Sequence, residues 1–298
     1  MSRLGVTALV VPAVFAAVVL PASRTSVLVV SESGVDAYNE AVGGISSVLP
    51  AGTFRVIDTA AKTSDRDLRG ALEDGEYRVA IAVGSRALAA VRAHHPAEPV
   101  IAAMVLDENH EEPGLRRVAL EVHVTAQLAA MRSLWPGRTR AGILRNPALA
   151  RYAPDQLESL ARKEGFSLLV IDCDSPARLL TALGGFKGKV DFVLCLPDPE
   201  LYNAVTIKPL VMASLEHRLP LVGFSPAFVR AGAAAGIFPD YGDVGRQSAE
   251  WALRLVRGED RGAEKESPRK VRIAVNQRVT RLEGIELHPD AVGAEVYR

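Results

Sequence analysis

The sequence predicts an α/β protein of two doubly wound, parallel-sheet lobes joined by a hinge, and three observations lead there. Five apolar runs, at residues 27–30, 79–83, 142–144, 168–171 and 192–196, each end in a polar or glycine turn that opens into helical periodicity. Uniformly apolar runs suit strands buried on both faces, and parallel strands need crossover helices between them. A charged stretch at 108–117, holding Pro113 and Gly114, interrupts the alternation, and a chain of 298 residues is at the size where one core gives way to two.

Taken in order, Arg3 is followed by an uncharged run at 4–23 with Pro12 inside it and small residues at its end. That is the pattern of a secretory signal peptide, expected to occupy 1–23; the alternative, an uncleaved membrane anchor, is weakened by Pro12. No cysteine follows the run, so no lipid attachment is expected there. A strand at 27–30 leads to a helix whose Ala37, Ala41, Val42, Ile45 and Val48 share one face, stopped by Pro50 and Gly52. A strand at 54–57, a helix at 65–72 capped by Ser64, a strand at 78–83, a helix at 85–94 and a strand at 100–106 complete the first lobe. The loop at 108–117 then leads to a crossing at 118–122.

The second lobe repeats the pattern, with helices at 125–135, 154–163, 176–183 and 202–217 alternating with strands at 140–145, 166–171, 190–196 and 219–223. A strand at 233–238, a helix at 244–256, a linker at 258–268 and a strand at 271–275 close the chain. The helix at 244–256 must bury Ala249, Ala252, Leu253 and Val256 after its strand leaves the second sheet. The expected division is therefore 24–123 with about 237–262 as one lobe, and 124–236 with about 263–298 as the other.

Composition narrows the function. The 35 basic residues balance 35 acidic ones, so no global field draws nucleic acid or an anionic membrane. Cys173 and Cys195, each near a strand end, read as buried thiols, and no metal or cofactor is expected. The segment Gly184-Gly185-Phe186-Lys187-Gly188-Lys189 resembles a phosphate loop with the wrong spacing, and Val190 stands where magnesium needs a hydroxyl. Gly223-Phe224-Ser225-Pro226-Ala227 resembles a nucleophile elbow, but Pro226 removes the N–H an oxyanion would need. His94, His95 and His110 fall in polar turns and read as solvent-exposed.

What remains is a set of small and polar strand ends: Ser31, Ser33, Gly84, Ser85, Asp107, Asn146, Asp198, Ser225 and Asp240. Where they open helices, free backbone N–H groups and the helix dipole favour an anion. Each alone reads as an N-cap; their recurrence at the same end of both sheets points to a shared ligand cleft.

Several runs carry a family resemblance. Val222-Gly223-Phe224-Ser225, Val229-Arg230-Ala231-Gly232-Ala233, Gly236-Ile237-Phe238-Pro239-Asp240-Tyr241, Gly245-Arg246-Gln247-Ser248-Ala249 and Leu255-Val256-Arg257-Gly258-Glu259 resemble the carboxyl-terminal signature of one group. That group is the ABC transporter substrate-binding family related to tryptophan-binding lipoproteins. Ala80-Ile81-Ala82-Val83-Gly84-Ser85, Gly142-Ile143-Leu144-Arg145-Asn146-Pro147 and Val271-Arg272-Ile273-Ala274-Val275-Asn276 add to the match. The resemblance implies a type I periplasmic binding fold that closes on a small ligand. Ser31, Ser33 and Ser85 would line one lobe, Asn146, Asp198 and Ser225 the other, with Asp240 near the hinge. Relatives often carry a threonine-aspartate-asparagine turn where this chain has Pro197-Asp198-Pro199-Glu200, which implies a different ligand, and the family's lipobox is missing.

The expected function is an exported, non-catalytic, monomeric protein that captures a small polar solute, an amino acid or related compound, for an ABC permease. The alternatives are a subunit feeding a sensor protein and a secreted enzyme working in the same cleft. The enzyme would need a paired acid and base, and no histidine stands at a strand end to serve.

Overall fold

Every side chain of β1 (Val27–Ser31) is buried, because Val27 and Val29 face one hydrophobic cluster while Leu28 and Val30 face another. That two-sided burial organises the computed structural model, which describes residues 26–62, 64–73, 77–94, 96–105, 115–259, 262, 264–286 and 294–297. The expected signal segment, His95, Asp107 and His110 lie outside the described residues.

From β1 the chain runs through α1 (Asp36–Val48), β2 (Phe54–Asp58), α2 (Ser64–Glu73), β3 (Val79–Val83), α3 (Ser85–Ala93), β4 (Val100–Ala103) and β5 (Leu115–Val118). Then follow α4 (Val124–Leu134), β6 (Arg140–Arg145), α5 (Pro154–Lys163), β7 (Ser167–Asp172), α6 (Leu179–Gly184), β8 (Phe192–Leu194), α7 (Ile207–His217), β9 (Leu221–Gly223), α8 (Pro226–Arg230) and β10 (Ala235–Pro239). The last elements are α9 (Tyr241–Arg257), β11 (Lys265–Glu266), β12 (Val271–Asn276), α10 (Gln277–Leu282) and β13 (Glu295–Tyr297).

Two sheets result, ordered β2-β1-β3-β4-β5-β11 and β7-β6-β8-β9-β10-β12-β13. All pairings are parallel except β10 with β12. The first sheet buries one face under α1 and α9 and the other under α2 and α3. The second buries one face under α4 and α5 and the other under α6 and α7. The chain passes between the sheets at 119–123, at Asp240 between β10 and α9, and at 267–270 between β11 and β12. These passages are bonded together: Ala119 N–H donates to the Glu266 carbonyl at 2.9 Å and Asp240 N–H to the Lys270 carbonyl at 2.9 Å. In this pairing 237–239 lie in the second sheet and Lys265 and Glu266 in the first, whereas the sequence division put 237–262 in one lobe and 263–298 in the other.

Helix α9 packs on α1 at very close range. A Cβ on Gly245 would stand 1.9 Å from the Ala41 carbonyl oxygen, and one on Gly44 would stand 2.0 Å from that of Gly242. Only backbone can face backbone at such a crossing. The buried Trp251 then fills the space beside the sheet.

Other expectations need correction. Leu115–Val118 is a strand and not loop, its apolar ends buried and Arg116 and Arg117 between them only partly so. The helix expected from 202 starts at Ile207, because the Asn203 side chain accepts the N–H groups of Val205 at 3.0 Å and Thr206 at 3.3 Å, and Thr206 donates its hydroxyl to the Leu201 carbonyl at 2.7 Å. Such side-chain bonds offer the backbone an alternative to the helical turn. His94 is not a solvated histidine: its side chain is 16% exposed and its Nε2 lies 3.2 Å from Asp65 Oδ1. Cys173 and Cys195 are buried free thiols, the latter's pKa pushed up to about 12 by burial.

Candidate ligand-binding site

Parallel strands deliver their carboxyl ends to one edge of each sheet, and the expected site residues other than Asp107, which is not among the described residues, sit on those edges. In the first sheet Ser31 ends β1 opposite Val83 of β3, which sets Gly84 and Ser85 just past the end of the neighbouring strand, while Ser33 is bonded toward β2 on the other side. Ser31 is 5% exposed and its hydroxyl has no hydrogen-bond partner among the described residues. Ser33 is engaged locally: its hydroxyl and its backbone N–H, the latter 2.9 Å from Asp58 Oδ1, hold the Asp58 carboxyl below its ordinary pKa. Gly84 has φ 93°, and a Cβ there would meet the Tyr38 ring at 2.6 Å. Glycine is required on both counts, the left-handed backbone and the aromatic lid over it. Ser85, the first residue of α3, is exposed, and Arg86 beside it is paired with Glu32 at 2.8 Å. Met104, just past β4, holds φ 58°, a conformation that costs a non-glycine residue about 1–2 kcal/mol.

In the second sheet Asn146 and Asp198 line one pocket with Glu121, Arg151, Tyr152 and Pro197. Asn146 is 2% exposed; its Oδ1 accepts the Ala148 N–H at 3.1 Å and its Nδ2 donates to Glu200 Oε2 at 2.8 Å. Asp198 Oδ1 accepts the N–H groups of Glu200 at 2.9 Å and Leu201 at 2.8 Å. Arg145 is held by both oxygens of Asp172, at 2.7 and 2.9 Å, and Arg151 pairs with Glu121.

Ser225 and Asp240 cap helices instead of joining these groups. Ser225 Oγ accepts the Phe228 N–H at 3.2 Å, and Asp240 Oδ1 accepts the Asp243 N–H at 2.7 Å with Arg246 at 3.7 Å. The Gly184 segment is a helix end followed by a turn with Gly188 at φ 71°. Tyr38, Glu200 and the half-buried Phe224, which packs on Tyr202 and Phe228, were not among the expected residues. A sequence signal existed only for Glu200, in the turn that departs from the relatives.

These features can be set beside known proteins. The model of the ABC transporter substrate binding protein family matches residues 35–293. The chain belongs to that family. The chain is 24% identical, over 170 residues, to the tyrosine-binding protein of Clostridioides difficile (strain R20291); the match takes in 55% of the chain and 48%, about half, of that relative. Among solved structures it is similar to the ligand-free, open structure of a substrate binding protein with adhesive properties from Clostridium difficile, with a TM-score of 0.67, 16% identity and coverage of 92% and 99% of the two chains. It is also similar to a Streptococcus pneumonia ABC domain in complex with L-Trp, with a TM-score of 0.58, 14% identity and coverage of 92% and 100%. The fold is the two-lobed type I periplasmic binding fold, and the family is one of solute-binding proteins and not of enzymes.

Proposed function

We propose that this protein is exported, captures a small polar solute between its lobes and presents it to an ABC permease, the ligand being an amino acid or related compound. The observation that carries the reading is the Ser31 hydroxyl, buried and without a partner among the described residues at the carboxyl end of β1. An unmet buried hydroxyl costs about 1–3 kcal/mol, which a ligand atom would recover. The first turn of α3, which follows β3 next to Ser31 and holds no acidic residue, adds backbone N–H groups suited to a carboxylate. Asn146 and Asp198 on the other sheet supply amide and carboxylate groups for the ligand's remaining polar end. Binding then works by differential affinity for the closed state, with the passages at 119–123, 240 and 267–270 as the hinge.

Native mass spectrometry of protein purified without denaturation tests this. A co-purified polar solute of a few hundred daltons is expected; a protein that carries none, and whose melting temperature no amino acid or sugar raises, would overturn the reading.

A further inference from the structure

The passages between the lobes are fastened down, and each fastening belongs to one lobe. The third passage is held to α9: Gln247 Nε2 donates to Glu266 Oε2 at 2.9 Å and to the Ser267 carbonyl at 3.0 Å, Arg269 pairs with Glu250 at 2.7 Å, and Arg269 and Lys270 both face Asp243. As far as Lys270 it therefore travels with the first sheet. The first passage is held to the second lobe from Glu121 onward, by the Glu121–Arg151 pair and by Gln127 Nε2, which donates to the Val122 carbonyl at 2.8 Å. Leu120, one residue earlier, packs instead in the cluster under α1 and α9. Turning of one lobe against the other is thereby left to the junctions 120–121, 239–240 and 270–271.

Glu40 and Arg272 meet across those junctions. Arg272 Nη1 lies 2.5 Å from Glu40 Oε1, and the two residues ride on different lobes, one on α1 over the first sheet and the other on β12 in the second. Neither is free to follow the other. Glu40 precedes Ala41 where the backbones of α1 and α9 touch, and a Cβ on Gly242 would stand 3.8 Å from Glu40 Cγ. Arg272 is paired in register with Phe238 of β10, its guanidinium lies 5.9 Å from the centre of that ring, and it also pairs with Glu295 of β13. With both side chains mounted on rigid elements, the distance between them follows the angle between the lobes.

We infer that the Glu40–Arg272 pair is a latch that holds the lobes at the angle seen in this structure, and that turning them to another angle breaks it. The inference goes beyond the solute-binding reading, since the latch acts with or without a solute. A solute shifts the lobe angle only by its differential affinity for the two arrangements, and the latch sets part of what that differential must overcome. The side chains of Arg272 and Glu40 are 33% and 40% exposed, which limits the weight of the latch on the equilibrium to about fivefold and makes it sensitive to salt.

Double electron–electron resonance on the full chain, dialysed free of small solutes, tests it. Spin labels are carried by Arg66→Cys in α2 and Lys163→Cys in α5, exposed positions beside β2 and β7, the strands at the ends of the sheets away from the passages. Cys173 and Cys195 are fully buried and stay unlabelled. The parent should show one narrow distance, and Glu40→Gln should broaden it and raise the population of other distances by up to about fivefold. Raised salt should do the same to the parent and add nothing to the variant. Glu295→Gln, which leaves the Glu40 contact in place, should keep the parent's distance. A Glu40→Gln distribution identical to the parent's, an equal change from Glu295→Gln, or a parent already spread over many distances would each overturn the latch. Solute binding is decided separately, by the mass of any co-purified solute.

Discussion

Glu283 is a residue whose protonation bears on the stability of the fold. It follows α10, neither carboxylate oxygen has a hydrogen-bond partner among the described residues, and burial raises its pKa to about 7, with Arg138 opposing only in part. The folded state therefore holds the proton more tightly than the unfolded chain does. The stability this contributes is complete below about pH 4.5 and is lost as pH rises through 7. Because the residue as a whole is only partly buried, the loss should be about 1–2 kcal/mol. Glu283→Gln should flatten the stability profile between those pH values and stabilise the protein at pH 8; denaturant titrations at both pH values check it, and a variant with the same slope as the parent would show that Glu283 is not the titrating group. At the carboxyl edge of the first sheet, Ser85 is the cleanest probe of the proposed site, since it is exposed and its hydroxyl has no protein partner among the described residues. Ser85→Ala should leave melting unchanged and weaken binding of the native solute if the hydroxyl touches it. Asp198→Ala should do both kinds of damage, because Asp198 also closes its own turn. The turn contribution is about 0.5–2 kcal/mol, and melting curves run beside calorimetry separate it from the binding loss.

Among the elements, the α1–α9 crossing explains why the Gly245-Arg246-Gln247 segment is so particular. Gly245 lets the helices touch backbone to backbone, and Gln247 reaches the third passage, donating to Glu266 at 2.9 Å and to the Ser267 carbonyl at 3.0 Å. Asp243, 4% exposed, gathers Arg246, Arg269 and Lys270 at 3.2, 3.6 and 3.8 Å around the same passage. Gly245→Ala must push α9 off α1, and overpacking of this kind costs about 1–3 kcal/mol. A lowered melting temperature is expected, and an unchanged one would mean that the helices are not in such contact. The same change at Gly43, where a Cβ meets nothing within 4 Å, should be neutral or slightly stabilising.

At the scale of the whole molecule, Arg272 on β12 bridges the two layers. It pairs with Glu40 of α1 at 2.5 Å and with Glu295 of β13, and its guanidinium lies 5.9 Å from the centre of the Phe238 ring. Partly exposed pairs contribute up to about 1 kcal/mol and are screened by salt. Glu40→Gln should therefore lower stability by less than that, and the difference from the parent should vanish in high salt, as melting curves across a salt series will show. Ligand at about a hundredfold its Kd should stabilise the protein by about 2.7 kcal/mol. Small-angle scattering should record a smaller radius of gyration as the lobes close; a radius unaltered by saturating ligand would exclude closure.

The strand runs alone determined that the chain would build two mostly parallel sheets, because β1 and β3 are apolar at almost every position and can be buried on both faces only between helix layers. They also determined which end of each sheet would hold the polar groups, since parallel strands all deliver their turns to one edge. What the sequence could not decide is which polar turn residues are free. Ser225 and Ser85 look alike as serines at helix starts, yet one is committed to the Phe228 N–H and the other is not. The Tyr38 ring over Gly84, the Glu200 carboxylate on Asn146 and the Gly245 contact with Ala41 join residues far apart in the chain, apart from the turn that places Glu200. Such pairings follow from the crossing of whole elements, so local pattern carries no trace of them, and only the packed structure fixes them.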